Sequence, residues 1–449
     1  MGNTQDAFFP RAAAAVMPTI VAGAGVYLTD DTGRDLIDVC AGPFLASLGQ
    51  GNERVLAAIA EQGRRLTYTY SRSTRHPANA QLSARLAALA GPGLDRVHLT
   101  SGGSEANEMA VKLLRALAVS RGESERTRVI TLLPGYHGAT VHTLAMNGDL
   151  GAGALWDPLT VSAVRVPAPL TFRAASPRAA AEHSLAELDA AVRRLGPGSV
   201  LAFVMEPIGG QASGVNVPDP SFARGARALC DRYGIALVFD EVVTALRTGA
   251  FLAAHHDPLA RPDLVTMAKG LGAGYVPLGA VLTSAAVADE LADSTGFVVS
   301  HSYDACPMAC AAGAAVLDEL ADRDLVARSA TLGERLRAGL ERIAQQSPVV
   351  GDVRGRGLLQ AVELVADRTT AARFGPDDDP GAVLLRRGLE HGLLLYSRRQ
   401  NAGRFGDWLL VAPPLIIDES TVDLLLERLH VVLMIEPHQL AIQPCSGEA

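Results

Sequence analysis

The chain has 449 residues, 48% of them hydrophobic and 20% charged, with a formal net charge of −8; this is globular composition, and too long for one ordinary core. The negative balance, with no basic cluster, excludes a nucleic-acid footprint, and no run reaches the roughly 18 apolar residues of a membrane helix. Five scattered cysteines (Cys40, Cys230, Cys306, Cys310, Cys445) lack a CxxC pair, so neither a disulfide framework nor a metal site is suggested, and Met1 to Pro10 lacks a basic region followed by an apolar run; a reduced, cytoplasmic protein is expected.

Gly25–Leu28 and Asp35–Val39 flank the turn formers Thr29-Asp30-Asp31-Thr32-Gly33 and predict a hairpin, followed by a helix from about Glu53 to Arg65. So short a segment cannot bury its own core and is expected to pack on something later in the chain. A helical period from Asn79 to Leu89 ends at Gly91-Pro92-Gly93, and Arg96–Thr100 reads as a strand. Ser101-Gly102-Gly103-Ser104 then opens a helix through Met109, Leu113 and Leu117. Glycines and a serine at a helix N-terminus gather free N–H groups and the positive dipole end at one spot, which suits a phosphate. On its own the pattern reads equally as a glycine turn with Ser104 as N-cap.

Apolar runs at Val129–Leu133, Leu201–Met205, Ala236–Asp240, Leu264–Met267 and Gly279–Leu282 alternate with helical stretches at about 182–194 and 221–234. That alternation predicts an α/β fold whose mostly parallel sheet is covered by helices on both faces, with ligands bound beyond the carboxyl ends of the strands. Residues 146–180, rich in Gly, Ala and Pro, read as a long surface excursion. Two helices past Cys310, strands within Val353–Leu364 and Trp408–Val411, and a helix from about Glu419 to Met434 predict a smaller α+β unit. The expected organisation is an N-terminal segment of the small domain at 1–55, a large domain at 56–318, a C-terminal small domain at 319–437 and a tail at 438–449.

Lys269 follows the run Leu264–Met267 and precedes three glycines in five positions. An amine presented at a strand end among apolar neighbours is suited to condensing with a carbonyl as a Schiff base, although an isolated Lys-Gly is most often a solvated loop lysine. Asp240 ends another apolar strand, where a carboxylate is costly to bury unless a cation meets it, and a protonated ring nitrogen would serve. Glu206 repeats this placement, and Tyr136-His137 offers two flat side chains after a third strand.

In order and spacing these blocks resemble the class III, or omega-type, aminotransferases that use pyridoxal 5'-phosphate, enzymes of fold type I; the resemblance runs from about Tyr27 to Leu429. It implies a large cofactor domain and a small α+β domain built from the N- and C-terminal segments. By this resemblance Ser101, Gly102, Gly103 and Ser104 match the phosphate-binding motif, with Gly103 and Ser104 in direct contact. Tyr136, in Gly135-Tyr136-His137-Gly138, stacks on the cofactor ring, and Glu206 lies near the ring acid. Asp240 holds the ring nitrogen protonated, Lys269 forms the Schiff base, and His137 and Val242 are further cofactor contacts. Ser302 stands where a threonine usually reaches the phosphate of the neighbouring subunit in a homodimer. Val353-Arg354-Gly355 and Pro413-Pro414-Leu415 match small-domain signatures.

The expected activity moves an amino group from a primary amine or omega-amino acid donor to pyruvate or 2-oxoglutarate by a ping-pong route. An aminomutase, epimerase or decarboxylase on the same scaffold is the alternative, since each needs the same lysine, acid and cradle; a non-catalytic binding protein is disfavoured because all three are intact. The family's Asp-Glu-Val-x-x-Gly-Phe-Gly-Arg-Thr-Gly segment is one residue short here, as Asp240–Gly249, which is expected to reshape the pocket wall near Leu246. Val243 replaces a glutamine of some members and offers no contact to the ring hydroxyl. Leu410 replaces the arginine that binds an α-carboxylate in ornithine-type members. Arg404 lies near the mobile arginine of amine-type members, an alternative to its being a solvated loop residue. Phe44 and Tyr68 are candidate pocket walls, with core packing the competing role.

Overall fold

The computed structural model describes residues 17–148, 155–160, 163–294, 296 and 299–441. Strands β1 (Ile20–Ala24), β2 (Tyr27–Asp30) and β3 (Asp35–Asp38) form an antiparallel meander. The predicted β2–β3 turn is closed by Asp30, which accepts bonds from Thr32 N and Oγ1 and from Arg34 N, the local chemistry that favours Asp in turns. The additional strand β1 has all five residues exposed. With no buried face it carries no period-two signal, and so it escapes a pattern-based reading.

A seven-stranded sheet follows, built from β4 (Arg96–Thr100), β5 (Arg128–Leu133), β6 (Val164–Pro167), β7 (Val200–Met205), β8 (Ala236–Asp240), β9 (Leu264–Met267) and β10 (Gly279–Thr283). Its order is β4-β10-β9-β8-β7-β5-β6. All pairings are parallel except the two made by β10. All six residues of β7 are buried, as expected for a strand covered on both faces. Burying a side chain such as Phe203 on β7 or Phe239 on β8 contributes roughly 1.5–3 kcal/mol. Strand β6 lies within residues 146–180, where a surface excursion was expected. It is an edge strand of four residues ending in a proline, too short and too polar at Arg165 to show a pattern.

In the C-terminal part, β11 (Val350–Arg356), β12 (Leu359–Leu364), β14 (Tyr396–Gln400) and β15 (Gly406–Val411) form an antiparallel sheet ordered β11-β12-β15-β14. The two-residue β13 (Leu393–Leu394) pairs in parallel with β3, so the first and last parts of the chain share one sheet. The predicted single run Val353–Leu364 is split by a turn in which Gly357 has φ +58°, a conformation open to glycine. Helices Leu325–Gln346 and Glu419–Leu433 pack against each other near this sheet. Of the expected tail, Pro437–Leu440 forms a helical turn that buries Leu440, and residues 442–449 lie outside the described residues.

Because β4, β5, β7, β8 and β9 all point the same way, the loops after them converge on one edge of the sheet. Every chemistry-bearing residue of the large sheet lies in those loops or at those strand ends.

Candidate active site

At that edge lies a cavity of about 430 Å³, with Leu45 and Pro277 among its lining residues. Lys269 leaves β9 with φ +43° and lines it. Its Nζ lies 5.6 Å from the centroid of the Phe44 ring. Burial pushes the amine pKa down, the carboxylates of Asp240 and Glu206 oppose this, and the Arg247 guanidinium adds to it; the net direction is down. A depressed amine is a larger fraction neutral, the form that attacks carbonyls.

Opposite stands Asp240, only 3% exposed at the end of β8. Its Oδ2 accepts from His137 Nδ1 at 2.8 Å and from Asn107 Nδ2 at 2.7 Å, and its Oδ1 from Val242 N at 3.0 Å. Asn107 Nδ2 also donates to His137 O, while Asn107 Oδ1 accepts from Thr266 Oγ1 at 2.8 Å. For His137 burial disfavours the cation, but the bond and charge of Asp240 and the charge of Glu206 outweigh it and raise the pKa. His137 Nε2 is buried without a partner among the described residues. Glu206 accepts from Gly210 N at 2.8 Å and Tyr136 N at 3.2 Å. Burial raises its pKa to about 7, partly countered by His137 and reinforced by Asp240.

Ser101, Gly102, Gly103 and Ser104 line the other end of the cavity, at the start of the helix Gly103–Ser120. The first N–H groups of a helix have no intrahelical acceptor. A Cβ on Gly103 would come within 3.0 Å of Val242, and one on Gly138 within 2.7 Å of Ser104 Oγ. Ser104 Oγ is held by Ala139 N at 3.0 Å. Tyr136, half-buried, lines the cavity between this cradle and Glu206.

The structure thus gathers Lys269, Asp240, Glu206, Ser101 to Ser104, Tyr136, His137 and Val242 around one space. It does not bring Tyr68 or Arg404 there: Tyr68 is 46% exposed, and the exposed Arg404 lies over the Phe405 ring at 5.6 Å; Ser302, expected to reach the neighbouring subunit's phosphate, is exposed on the surface of this chain. Phe44 is buried in a core with Tyr396, Trp408 and Leu410, touching the site through its proximity to Lys269. Leu246 sits behind Gly270 rather than on the wall, because its φ of +73° turns the short segment inward to bury Arg247. Arg247 Nη1 donates to Ala412 O and Pro413 O. The wall at this point is Val242 and Val243.

Three residues went unread in the sequence. Asn107 and Thr266 had a signal, a polar side chain on the buried face of an apolar helix and within an apolar strand. Arg398 had none short of the register of β14 against β15. It is paired with Trp408 and two residues from Tyr396, so all three side chains share one face of that sheet. The Arg398 side chain makes no hydrogen bond or ion pair among the described residues, and its Nε is buried. Burial raises the phenol pKa values of Tyr136 and Tyr396, and the charge of Arg398 pulls both back.

The Aminotransferase class-III family pattern matches residues 8–433. The chain is 31% identical to each of two curated relatives: over 421 residues to a taurine–pyruvate aminotransferase of Rhodobacter capsulatus, with 92% of this chain and 90% of that one covered, and over 423 residues to a diaminobutyrate–2-oxoglutarate transaminase of Halomonas elongata, with 91% and 88% covered. Among solved structures, a pyridoxal-phosphate-bound amine transaminase from an uncultivated Pseudomonas species superposes with a TM-score of 0.89 at 30% identity, covering 96% of this chain and 99% of that one. With a lysine, a buried acid and an anion cradle around one cavity on this sheet, the chain belongs to the class III aminotransferases, pyridoxal-phosphate enzymes of fold type I.

Proposed function

We propose that this aminotransferase takes an amino group from a primary amine or omega-amino acid and passes it to a small keto acid, pyruvate or 2-oxoglutarate, in two half-reactions at one site. The observation that carries the reading is the pairing of the Lys269 amine, its pKa lowered, with the buried Asp240 carboxylate in a single cavity.

The residues present fit the cofactor. Gly103 and Gly138 leave the cradle free of side-chain bulk, and among the described residues Asp240 Oδ1 accepts only from the backbone N–H of Val242, so that oxygen keeps a lone pair for a ring N–H. When bound, pyridoxal phosphate supplies an aldehyde and an electron sink for the substrate's Cα. Gly103 and Ser104 would hold the phosphate, and Tyr136 would pack on the ring. Asp240 keeps a proton on the ring nitrogen, an electrostatic preorganisation whose loss costs several kcal/mol. Lys269, whose lowered pKa favours the neutral amine, would be the group that holds the cofactor's aldehyde and, once the substrate amine takes its place, would take up and return the proton of the substrate Cα.

Leu410 lies among buried apolar residues, so no cation is available there for an α-carboxylate. Arg398, whose side chain is unpaired among the described residues and whose charge acts on Tyr136 and Tyr396, is the group we assign to the acceptor's carboxylate; the two relatives' names include pyruvate and 2-oxoglutarate. In this reading 56–318 holds the cofactor, while 319–437 with 1–55 forms the small domain that supplies Arg398. The exposed Ser302 and Tyr303, the latter 65% exposed, support a homodimer in which Ser302 reaches the partner's phosphate. No helix among the described residues is long and apolar enough to cross a membrane, and we place the enzyme in the cytoplasm. The test mixes cofactor-loaded protein with single amines and follows the visible absorption band. Bleaching by an amine, restored by a keto acid, is expected; a band that persists in Lys269→Ala refutes the assignment of the lysine.

A further inference from the structure

Glu206 owes its place to a loop that is itself held from the far side. The segment Gly209–Asn216 closes on itself through Gly209 N to Asn216 O at 2.8 Å and Val215 N to Gly210 O at 3.0 Å. It is fastened to residues 169–171 by Asn216, whose Nδ2 donates to Pro169 O and whose Oδ1 accepts from Thr171 N. Residues 210–216 are all buried. Gly214 and Val215 have φ of +59° and +52°, and for a β-branched residue such a φ persists only where the surroundings impose it.

Three strands of the C-terminal sheet impose it. Trp408 Nε1 on β15 donates to Gln211 O at 2.7 Å, Arg354 Nε on β11 donates to Gly214 O at 2.6 Å, and Tyr396 Oη on β14 donates to Gln211 Oε1 at 2.5 Å. The indole packs so closely on Gly214 that a Cβ there would fall 2.6 Å from its ring. Arg354 is in turn fixed by Glu363 at 2.6 Å and lies over the Trp408 ring at 5.8 Å. From the clamped loop Gly210 N reaches Glu206 Oε1, and Glu206 Oε2 receives Tyr136 N.

We infer that Trp408, Arg354 and Tyr396 are positioning residues for the Glu206 carboxylate, so that the C-terminal sheet sets the geometry of the cofactor-ring side of the cavity through the loop Gly209–Asn216. Removing one clamp bond lets the loop relax, weakens the Gly210 bond to the carboxylate, and so disfavours its ionised form. The inference rests on Glu206 belonging to the proposed site, yet its test needs neither cofactor nor substrate.

The test is an infrared pH titration of the cofactor-free chain, following the protonated carboxyl stretch that disappears in Glu206→Gln. His137, Asp240 and Lys269 are the other charged groups acting on this carboxyl, and all are left in place. Trp408→Phe keeps an aromatic ring and removes the N–H. The midpoint is expected to rise by roughly half to one pH unit, the scale of one net hydrogen bond. Val362→Ala, in the core of β12 away from the loop, serves as the control for a merely loosened sheet, with loss of melting temperature but an unmoved midpoint. Should Trp408→Phe not fold, Tyr396→Phe removes one hydroxyl and carries the same expectation at smaller amplitude. An unmoved midpoint in the clamp variants, or an equal shift in Val362→Ala, overturns the inference.

Discussion

Replacing Asn107 by leucine tests the polar lattice behind the cavity. The volume is nearly kept, but three bonds vanish together: to Asp240 Oδ2 at 2.7 Å, to His137 O at 2.7 Å, and from Thr266 Oγ1 at 2.8 Å. The first is made to a charged group and contributes about 1.5–3 kcal/mol. If that orientation of Asp240 is what the reaction uses, the amine half-reaction slows by roughly 10- to 150-fold, at about 1.4 kcal/mol per decade. The other two leave Thr266 Oγ1 and His137 O buried and unpaired, so melting temperature falls as well, each stranded group costing about 1–3 kcal/mol. Single-turnover bleaching of the loaded protein at saturating amine measures the first effect free of product release, and calorimetry measures the second. Thr266→Val, which strands only one acceptor, gives the smaller loss on both. A folded, cofactor-loaded Asn107→Leu that reacts within about threefold of the parent refutes the idea that this lattice sets the carboxylate for catalysis.

Arg398→Ala is expected to raise KM for a keto acid about tenfold or more, the cost of a charge-assisted bond, while sparing an uncharged amine donor. Arg404→Ala should leave both within about twofold, and the opposite ranking reassigns the carboxylate site to Arg404. Gly138→Ala places a Cβ 2.5 Å from Thr143 Oγ1 and 2.7 Å from Ser104 Oγ at φ +146°, so cofactor dissociation measured by dialysis should strengthen at least tenfold; unchanged affinity argues against Ser104 in the cradle. For Glu206, raised from 4.5 to about 7, the folded chain binds its proton more tightly than the unfolded chain does. The resulting stability is fully present below about pH 4.5 and is lost as pH rises through about 7. Melting curves of cofactor-free protein should therefore favour Glu206→Gln over the parent increasingly from pH 5 to 8, and a constant difference across that range refutes the shift.

The central strands of the large sheet were legible because they are buried on both faces and declare themselves as unbroken apolar runs, whereas the short edge strand β6 was not. Asp240 and Lys269 were legible for the same reason, each being a charge at the end of such a run. Residues whose roles depend on pairing between distant strands were not. Arg398 acquires its neighbours only from the β14–β15 register, and nothing in Tyr396–Gln400 marks an apolar alternation. The short segment Asp240–Gly249 was expected to reshape the pocket wall near Leu246; its Val242 and Val243 line the cavity, while Leu246, in a left-handed conformation, turns inward beside the buried Arg247. Arg404, the nearer match by sequence position, sits on a surface loop where Phe405 already occupies its guanidinium.

The buried guanidinium of Arg247 has its acceptors on Ala412 and Pro413, far downstream of the lysine it influences. On the ribosome, the strands that carry Asp240 and Lys269 emerge well before those carbonyls exist. Until they arrive, the large sheet must keep this cation hydrated and its segment open. The segment around Arg247 is therefore expected to settle only in a chain extended past residue 413, and a nascent chain stalled before residue 412 should show that segment still open to proteolysis.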